Sequence, residues 1–544
     1  MTWAVERLAA LPGQGPSRLY DDFVSGAPAL APFFGASLAA IESGAAPPRR
    51  GALLDRAARR ELAAALCAQP GAEHGAPAQR DAIAALEEEE TLAVVAGQQP
   101  GLFLGPLLTL YKAVSAVALA GRLARRLGRA VVPVFWIVAE DDDLSEIADL
   151  VLPGGAGGLE KISLFTDRAA RERRTYARLR AREETALVAS AVAARLGDGE
   201  GARRLSARIA RAARHDTPVA VFASLLGELL GPLGLVVADP SDPRLKALLA
   251  PAFRRELENP LATPRGAADA GRRLVALGYH AQVAPEAGRA ALFALDDSGR
   301  RQSLEPERLS ALAARPERLV PNVLLRPTFQ DLLFPTVASV CGPSEVAYLA
   351  QVGEVYARHG VPRPAVVPRL SALLVEPHVA RFLDRDRPDL ALLCAAPTAV
   401  PRAGSEPAEV RALERPVADL DAALSALEER LLASSPPLAA MTGGARRKIL
   451  FETGRLLERL SKELDREGEA FRRRAARARE RICPDGRPQE RVLSPLPFLA
   501  RWESLPEMLA AVYDPGDARP LLVRLPDTAE GGGARDDGPG GGAA

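Results

Sequence analysis

The stretch that most limits what this chain can fold into is 91–143, TLAVVAGQQPGLFLGPLLTLYKAVSAVALAGRLARRLGRAVVPVFWIVAEDDD. A short apolar run, Leu92–Ala96, leads into a loop carrying Gly97, Gly101 and Gly105. A helical stretch beginning at Pro106 follows, and a second apolar run, Val131–Ala139, ends in Glu140-Asp141-Asp142-Asp143. Both runs are continuous rather than alternating, the pattern of strands covered on both faces of a parallel sheet. One βαβ unit is therefore predicted, with polar residues just beyond the carboxyl end of each strand. Ligands of open α/β sheets bind at those ends, near a switch in strand order, so chemistry is expected there.

At 544 residues the chain exceeds the roughly 250–300 at which a single core stops growing, and at least two units are expected. Its net charge of +1 argues against a nucleic-acid protein relying on bulk positive charge, while leaving a local basic patch open. Cys67, Cys341, Cys394 and Cys483 lie far apart with no C-x-x-C pair. Neither a disulfide framework nor a zinc site is indicated, and reduced cysteines of a cytoplasmic protein are the simpler reading. The histidines His74, His215, His280, His359 and His378 lack metal-ligand spacing, so no metal site is assigned. The opening MTWAVERLAALPG mixes acid and base early and predicts no signal peptide. In the least charged stretch, 91–121, Gln98-Gln99-Pro100-Gly101 interrupts the apolar residues. Neither half reaches the roughly 20 needed to span a membrane, so no membrane partner is expected.

In chain order, 1–154 is expected to form the first half of the sheet core, its opening 90 residues mostly helical over Asp55–Ala68 and Ala78–Glu90. Residues 155–233 read as a helical insertion, and 234–247 as a core strand ending at Asp239 with a turn after it. A small α/β insertion is predicted over 248–318, with short alternating runs around Gln282-Val283 and Ala291–Leu295 before an Asp297-Ser-Gly299 turn. The second half of the core, 319–400, is read as strands at Leu319–Leu325, Thr336–Cys341 and Ala365–Val367. Between the last two, a helix over Ser344–Arg358 places Glu345, Tyr348 and Val352 along one side.

From 416 to 481 the spacing becomes that of a coiled-coil hairpin. Val417, Leu420, Leu424, Leu427 and Leu431 recur in three- and four-residue steps, as do Leu450, Thr453, Leu457, Leu460 and Leu464, with Pro436, Pro437, Gly443 and Gly444 between them. Leucine seams on both helices point to a homodimer through this hairpin; the basic second helix also admits an RNA-binding arm. Residues 482–526 should pack back on the core, and 527–544 should be disordered.

A glycine loop ahead of a helix presents backbone N–H groups and the positive helix end to an anion, so Gly97, Gly101 and Gly105, with Gln98 and Gln99, are candidates for holding phosphates. Close packing of strand on helix is the plainer alternative. Four adjacent acids cannot all be buried unpaired. A substrate ammonium, a magnesium ion, or Arg326 and Arg369 would each serve as partner.

Several of these stretches carry a resemblance. Gly97-Gln-Gln-Pro-Gly-Leu-Phe-Leu-Gly105-Pro with Tyr111-Lys112, Pro133-Val-Phe-Trp-Ile137 leading to Glu140-Asp141, and Arg326-Pro with Gln330 and Leu333-Phe-Pro335-Thr resemble the bacillithiol biosynthesis cysteine-adding enzyme family of cysteine ligases. So do Gly342-Pro-Ser-Glu345-Val-Ala-Tyr348, Val367-Pro-Arg369-Leu-Ser371 and Pro488-Gln-Glu-Arg491-Val-Leu. This chain has Asp142 where the family usually has histidine, and no role of that histidine is carried over.

The resemblance implies a Rossmann-like core with inserted segments, similar to class I aminoacyl-tRNA synthetases, and a C-terminal coiled coil that helps form a dimer. It also implies ligation of cysteine to the amine of glucosaminyl-malate, the last step to bacillithiol. A free carboxylate is a poor acyl donor, so ATP with magnesium is expected to activate it. Lys112 and Arg326 would stabilise developing charge, and Glu140, Asp141 or Asp143 would bind the amine or take its proton. Gln330, Glu345, Tyr348 and Arg369 join the glycine loop as candidate binding residues. A non-catalytic nucleotide-binding or RNA-associated protein on a synthetase-like core is the alternative.

Overall fold

The computed structural model describes residues 3–15, 17–46, 53–154, 158–164, 174–303, 305, 308–309, 311–395 and 408–527. Among them the strands run in chain order as β1 (Ala4–Arg7), β2 (Leu92–Gln98), β3 (Val131–Ile137), β4 (Asp149–Pro153), β5 (Leu159–Ser163), β6 (Val236–Ala238) and β7 (Leu292–Leu295). β8 (Arg301–Gln302), β9 (Leu319–Pro321), β10 (Thr336–Cys341), β11 (Ala365–Pro368), β12 (Ala372–Val375) and β13 (Leu521–Arg524) complete the series. Five of them form one parallel sheet in the order β11-β10-β2-β3-β6. From β2 the chain steps outward through β3 and β6, then returns to lay β10 and β11 on the other side. Strand order therefore switches between β2 and β10.

Because successive strand residues face opposite sides, Leu92, Val94 and Ala96 enter one apolar cluster while Ala93 and Val95 enter the other. β3 divides in the same way, Phe135 and Ile137 against Val134 and Trp136. Burial on both faces is why these strands read as unbroken apolar runs.

Helix Leu107–Leu127 follows β2 and stops at Gly128, whose φ of 62° is left-handed. Its 21 residues are long and apolar enough to cross a membrane by length and composition, contrary to the expectation from the halves of 91–121. Yet 67% of its most apolar window is buried inside the fold. This is the central helix of the core, and its first turn is held by the Leu107 N–H donating to Leu493 O at 2.8 Å, a contact from the C-terminal segment. The two chain ends meet in a separate sheet, β1-β13-β12, which corrects the mostly helical reading of the first 90 residues at Ala4–Arg7. A hairpin of β4 and β5 likewise replaces helix at Leu159–Ser163.

Three further expectations change for identifiable reasons. The strand read over Leu319–Leu325 ends at Pro321 and pairs with β7 in a three-stranded sheet, β8-β7-β9. Asn322 Oδ1 then accepts from the Leu324 N–H at 2.9 Å and turns the chain into helix Arg326–Leu333. Gln282-Val283 is not a strand, because the Val283 N–H and C=O are both satisfied at 2.9 Å by the side-chain amide of Gln351. That same buried glutamine sits in the break between helices Pro343–Leu349 and Gly353–His359, so Ser344–Arg358 is two helices rather than one.

Helices Ala408–Ser434 and Pro436–Ile482 pack side by side as a hairpin turning at Ser435. Arg446 ties them together, reaching Asp421 at 2.6 Å and Glu428 at 3.5 Å. Gly443 and Gly444 lie inside the second helix rather than in the turn, and Gly443 faces the carboxylate end of Glu428 on the other helix. The side chains of Leu457, Leu460 and Leu464, and the tail beyond 527, lie outside the described residues.

Candidate active site

A cleft of about 590 Å³ opens over the carboxyl ends of β2, β3 and β10, at the switch in strand order. Gly97, Gln98, Gln99, Lys112, Glu140 and Asp141 line one part of it, and Arg326, Glu345, Tyr348 and Arg369 another. Thus ten of the fourteen residues singled out from the sequence converge, from elements up to 272 positions apart (369 minus 97). Gly101, Gly105, Asp143 and Gln330 do not line it.

The glycine loop is a packing device. The Gly101 N–H donates to Gln99 O and the Gly105 N–H to Leu102 O, each at 2.9 Å, and the Leu102 N–H to Ile147 O at 3.0 Å. These donors are thus already engaged, which corrects the expectation that Gly101 and Gly105 offer them to a phosphate. The glycines themselves are needed because the loop folds tightly: a Cβ on Gly101 would lie 2.7 Å from Gly105 Cα, and Gly105 has φ 63°. Gly101→Ala is expected to cost about 1–3 kcal/mol of stability by overpacking. Urea denaturation checks this, and wild-type stability in the variant would refute the close-packing account.

Lys112 comes off the central helix into the cleft floor, where it is 4% exposed. Its ammonium donates to Gly97 O at 2.6 Å and Gln98 Oε1 at 2.8 Å, and pairs with Glu345 at 2.6 Å. Three donors meet three acceptors, so Lys112 and Glu345 position β2 against helix Pro343–Leu349 rather than wait for a ligand. Burial pulls the Lys112 ammonium below the ordinary lysine value, with Glu345 opposing. Arg369 is similarly engaged, forked onto Glu490 with one contact at 3.0 Å.

The four acids divide into distinct roles. Glu140 is buried against Lys246 at 2.7 Å, with burial pushing its carboxyl upward. Arg301, on β8 and 4.5 Å above the Phe293 ring, contacts Asp141 at 3.0 Å and Asp142 at 2.5 Å. Asp143 accepts from the Ser145 N–H at 3.1 Å and caps the turn Leu144–Glu146. Within the chain the partners are therefore Lys246 and Arg301, and not Arg326 and Arg369, which were one of the alternatives read from the sequence. Arg326 instead donates to the Tyr348 hydroxyl at 3.3 Å and forms no ion pair among the described residues. Gln330 lines a small recess behind the cleft, its amide donating to Asp331 at 3.1 Å.

The sequence reading missed Glu146, which lines the cleft and accepts from Gln99 at 2.6 Å. Burial, then the neighbouring Asp141 and Asp143, push its carboxyl above the ordinary range. A carboxylate so placed is a stronger base than usual. Its place after Asp143 in the pattern Asp-x-x-Glu resembles a helix cap, which hides it. Arg301 and Lys246 gave no local signal, since each reaches the acids from another element.

Residues 7–370 match the domain described as "Bacillithiol biosynthesis BshC, N-terminal Rossmann-like domain" and residues 406–516 the "C-terminal coiled-coil domain" of the same protein. The chain belongs to the BshC family. It is 34% identical over 455 residues to a protein of Salinibacter ruber named "Putative cysteine ligase BshC", covering 78% of this chain and 81% of that one. Proteins of the same name from Chlorobaculum tepidum (30%, 83% of this chain and 86% of the relative) and Thermus thermophilus (33%, 76% and 85%) also align. The Rossmann-like core and coiled coil implied by the resemblance are thus those of BshC, and the relatives' name is that of a ligase enzyme.

Proposed function

We propose that this BshC-family chain joins the carboxylate of cysteine to the amine of glucosaminyl-malate, with MgATP as co-substrate activating the carboxylate. The observation that carries the reading is a cleft at the strand switch holding a basic carboxylate, Glu146, beside Asp141, together with an arginine, Arg326, that has no acidic partner among the described residues. Amide formation needs those parts. ATP turns the carboxylate into an acyl phosphate or adenylate. The amine nitrogen attacks the acyl carbon, the C–O bond to phosphate or AMP breaks, and the amine gives up a proton.

Asp141 and Glu146 suit the amine. They attract its ammonium form, Asp141 while also holding Arg301, and Glu146 accepts the proton as the C–N bond forms. Arg326 suits the departing oxyanion, whose charge a guanidinium stabilises more than that of the ground-state acyl group. Because Gly101 and Gly105 have spent their N–H groups, phosphate binding falls to side chains. Lys112, Glu140, Glu345 and Arg369 hold the walls in place. Incubating purified protein with cysteine, glucosaminyl-malate and MgATP should yield the cysteinyl amide by mass spectrometry. No amide under any nucleotide, with substrates still bound, would leave the non-catalytic nucleotide-binding reading standing.

The homodimer belongs to the same proposal. Leu432, Phe451 and Leu456 on the hairpin are 64%, 64% and 54% exposed in the single chain, an apolar surface that a two-fold partner would cover. Light scattering is expected to give twice the chain mass at micromolar concentration, falling to one chain in Phe451→Glu/Leu456→Glu. A monomeric wild type would end this reading.

A further inference from the structure

Past Pro343, Ser344 and Arg491 the cleft continues into a side pocket of about 400 Å³, to which Gln14, Ser17, Gln282 and Arg487 also contribute. Its lining contains two arginines and no aspartate or glutamate. Neither Arg487 nor Arg491 makes an ion pair among the described residues, and the nearby Arg369 is already neutralised by Glu490. Burial lowers the Arg491 guanidinium first, then the charge of Arg369; Arg487 acts in the same direction while Glu490 opposes them. Cations that share a pocket lining without a counter-charge repel, and a bound anion would relieve that repulsion. The wall is built rather than loose: Gly13 packs so closely on Gly486 that a Cβ there would come within 2.7 Å of the Gly486 carbonyl.

We propose that this side pocket is a subsite for the anionic end of a substrate lodged in the cleft, with carboxylate or phosphate oxygens held by Arg487 and Arg491 and neutral donors from Gln14, Ser17 and Gln282. The occupant, though not the subsite, rests on the ligase reading. Glucosaminyl-malate carries an amine and two carboxylates, so it would lie with its nitrogen at Asp141 and Glu146 and its malate end here. The phosphates of the nucleotide are the other source of the same chemistry.

The test uses the full chain and titrates L-malate, inorganic phosphate and ATP separately by calorimetry, in wild type, Arg487→Ser, Arg487→Lys and Arg487→Ser/Arg491→Ser. Losing a charge-assisted hydrogen bond weakens binding roughly tenfold to a hundredfold. Arg487→Ser should do so, the double variant should lose more, and Arg487→Lys should recover part, at unchanged melting temperature. Malate sensitivity assigns the pocket to the acceptor, and phosphate or ATP sensitivity to the nucleotide. Arginine-independent binding of all three probes, or none binding wild type, overturns the subsite. If malate binding follows Arg487 but no amide is ever made, the ligase reading fails alone. If amide forms with the same KM for both acceptor and ATP in all four proteins, the subsite fails alone.

Discussion

Glu490→Gln should destabilise the protein by about 3–5 kcal/mol, because it leaves a buried guanidinium without its counter-charge. Arg369 and Glu490 are only 6% and 3% exposed. The pair joins the end of β11 to the C-terminal segment, and Ser371 adds a hydrogen bond to Glu490 at 2.9 Å. Next to it, Gln489 closes both hydrogen bonds of the Leu374 backbone at 2.9 Å. Losing Glu490 should therefore loosen the C-terminal segment where Leu493 holds the start of the central helix. Chemical denaturation measures the loss. Replacing both partners, as in Arg369→Met/Glu490→Leu, should recover most of it, since no charge is then stranded. A Glu490→Gln protein within about 1 kcal/mol of wild type would show that Arg369 finds water or another acceptor, contrary to the buried-pair account.

The second large effect is on rate. Glu146→Gln should lower turnover by roughly 10²–10⁴-fold, the usual worth of a general base, with the melting temperature nearly unchanged because the side chain is partly exposed and a glutamine there can still bond Gln99. Asp141→Asn should also reduce activity, since it removes a charge facing the amine. The pH profile separates the two roles. Glu146 must be ionised to accept a proton, and its carboxyl is held above the ordinary range. The rate should fall as pH drops through that raised value, at a higher pH than an unperturbed carboxylate would give. Asp141→Asn removes one cause of the shift, so the acid limb of the remaining activity should move to lower pH. An acid limb that stays put in Asp141→Asn and persists in Glu146→Gln would assign the base elsewhere.

Periodicity and position made the core legible from the amino-acid sequence. The runs at 92–96 and 131–139, and the acids after them, gave the βαβ unit and its functional edge, because burial on both faces of a parallel strand leaves a continuous apolar signature. The helical hairpin was equally legible, since its heptad spacing is local. The matched families bear out both the Rossmann-like and coiled-coil readings. What the sequence could not convey was how charges pair. Lys112 looked like a cation free to stabilise charge and is spent on Glu345; Glu140 looked like a carboxylate for the amine and is spent on Lys246. Glu146, which the sequence reading did not single out, reaches the cleft. The glycine loop looked open to phosphate, yet its N–H groups turn inward. An apolar pattern is written along one segment, whereas the partner of a charge comes from whichever distant segment folds beside it. Low-dielectric burial makes that partnership decisive, so the sequence marked the place of the site and only the tertiary structure decided which of its groups remain free to act.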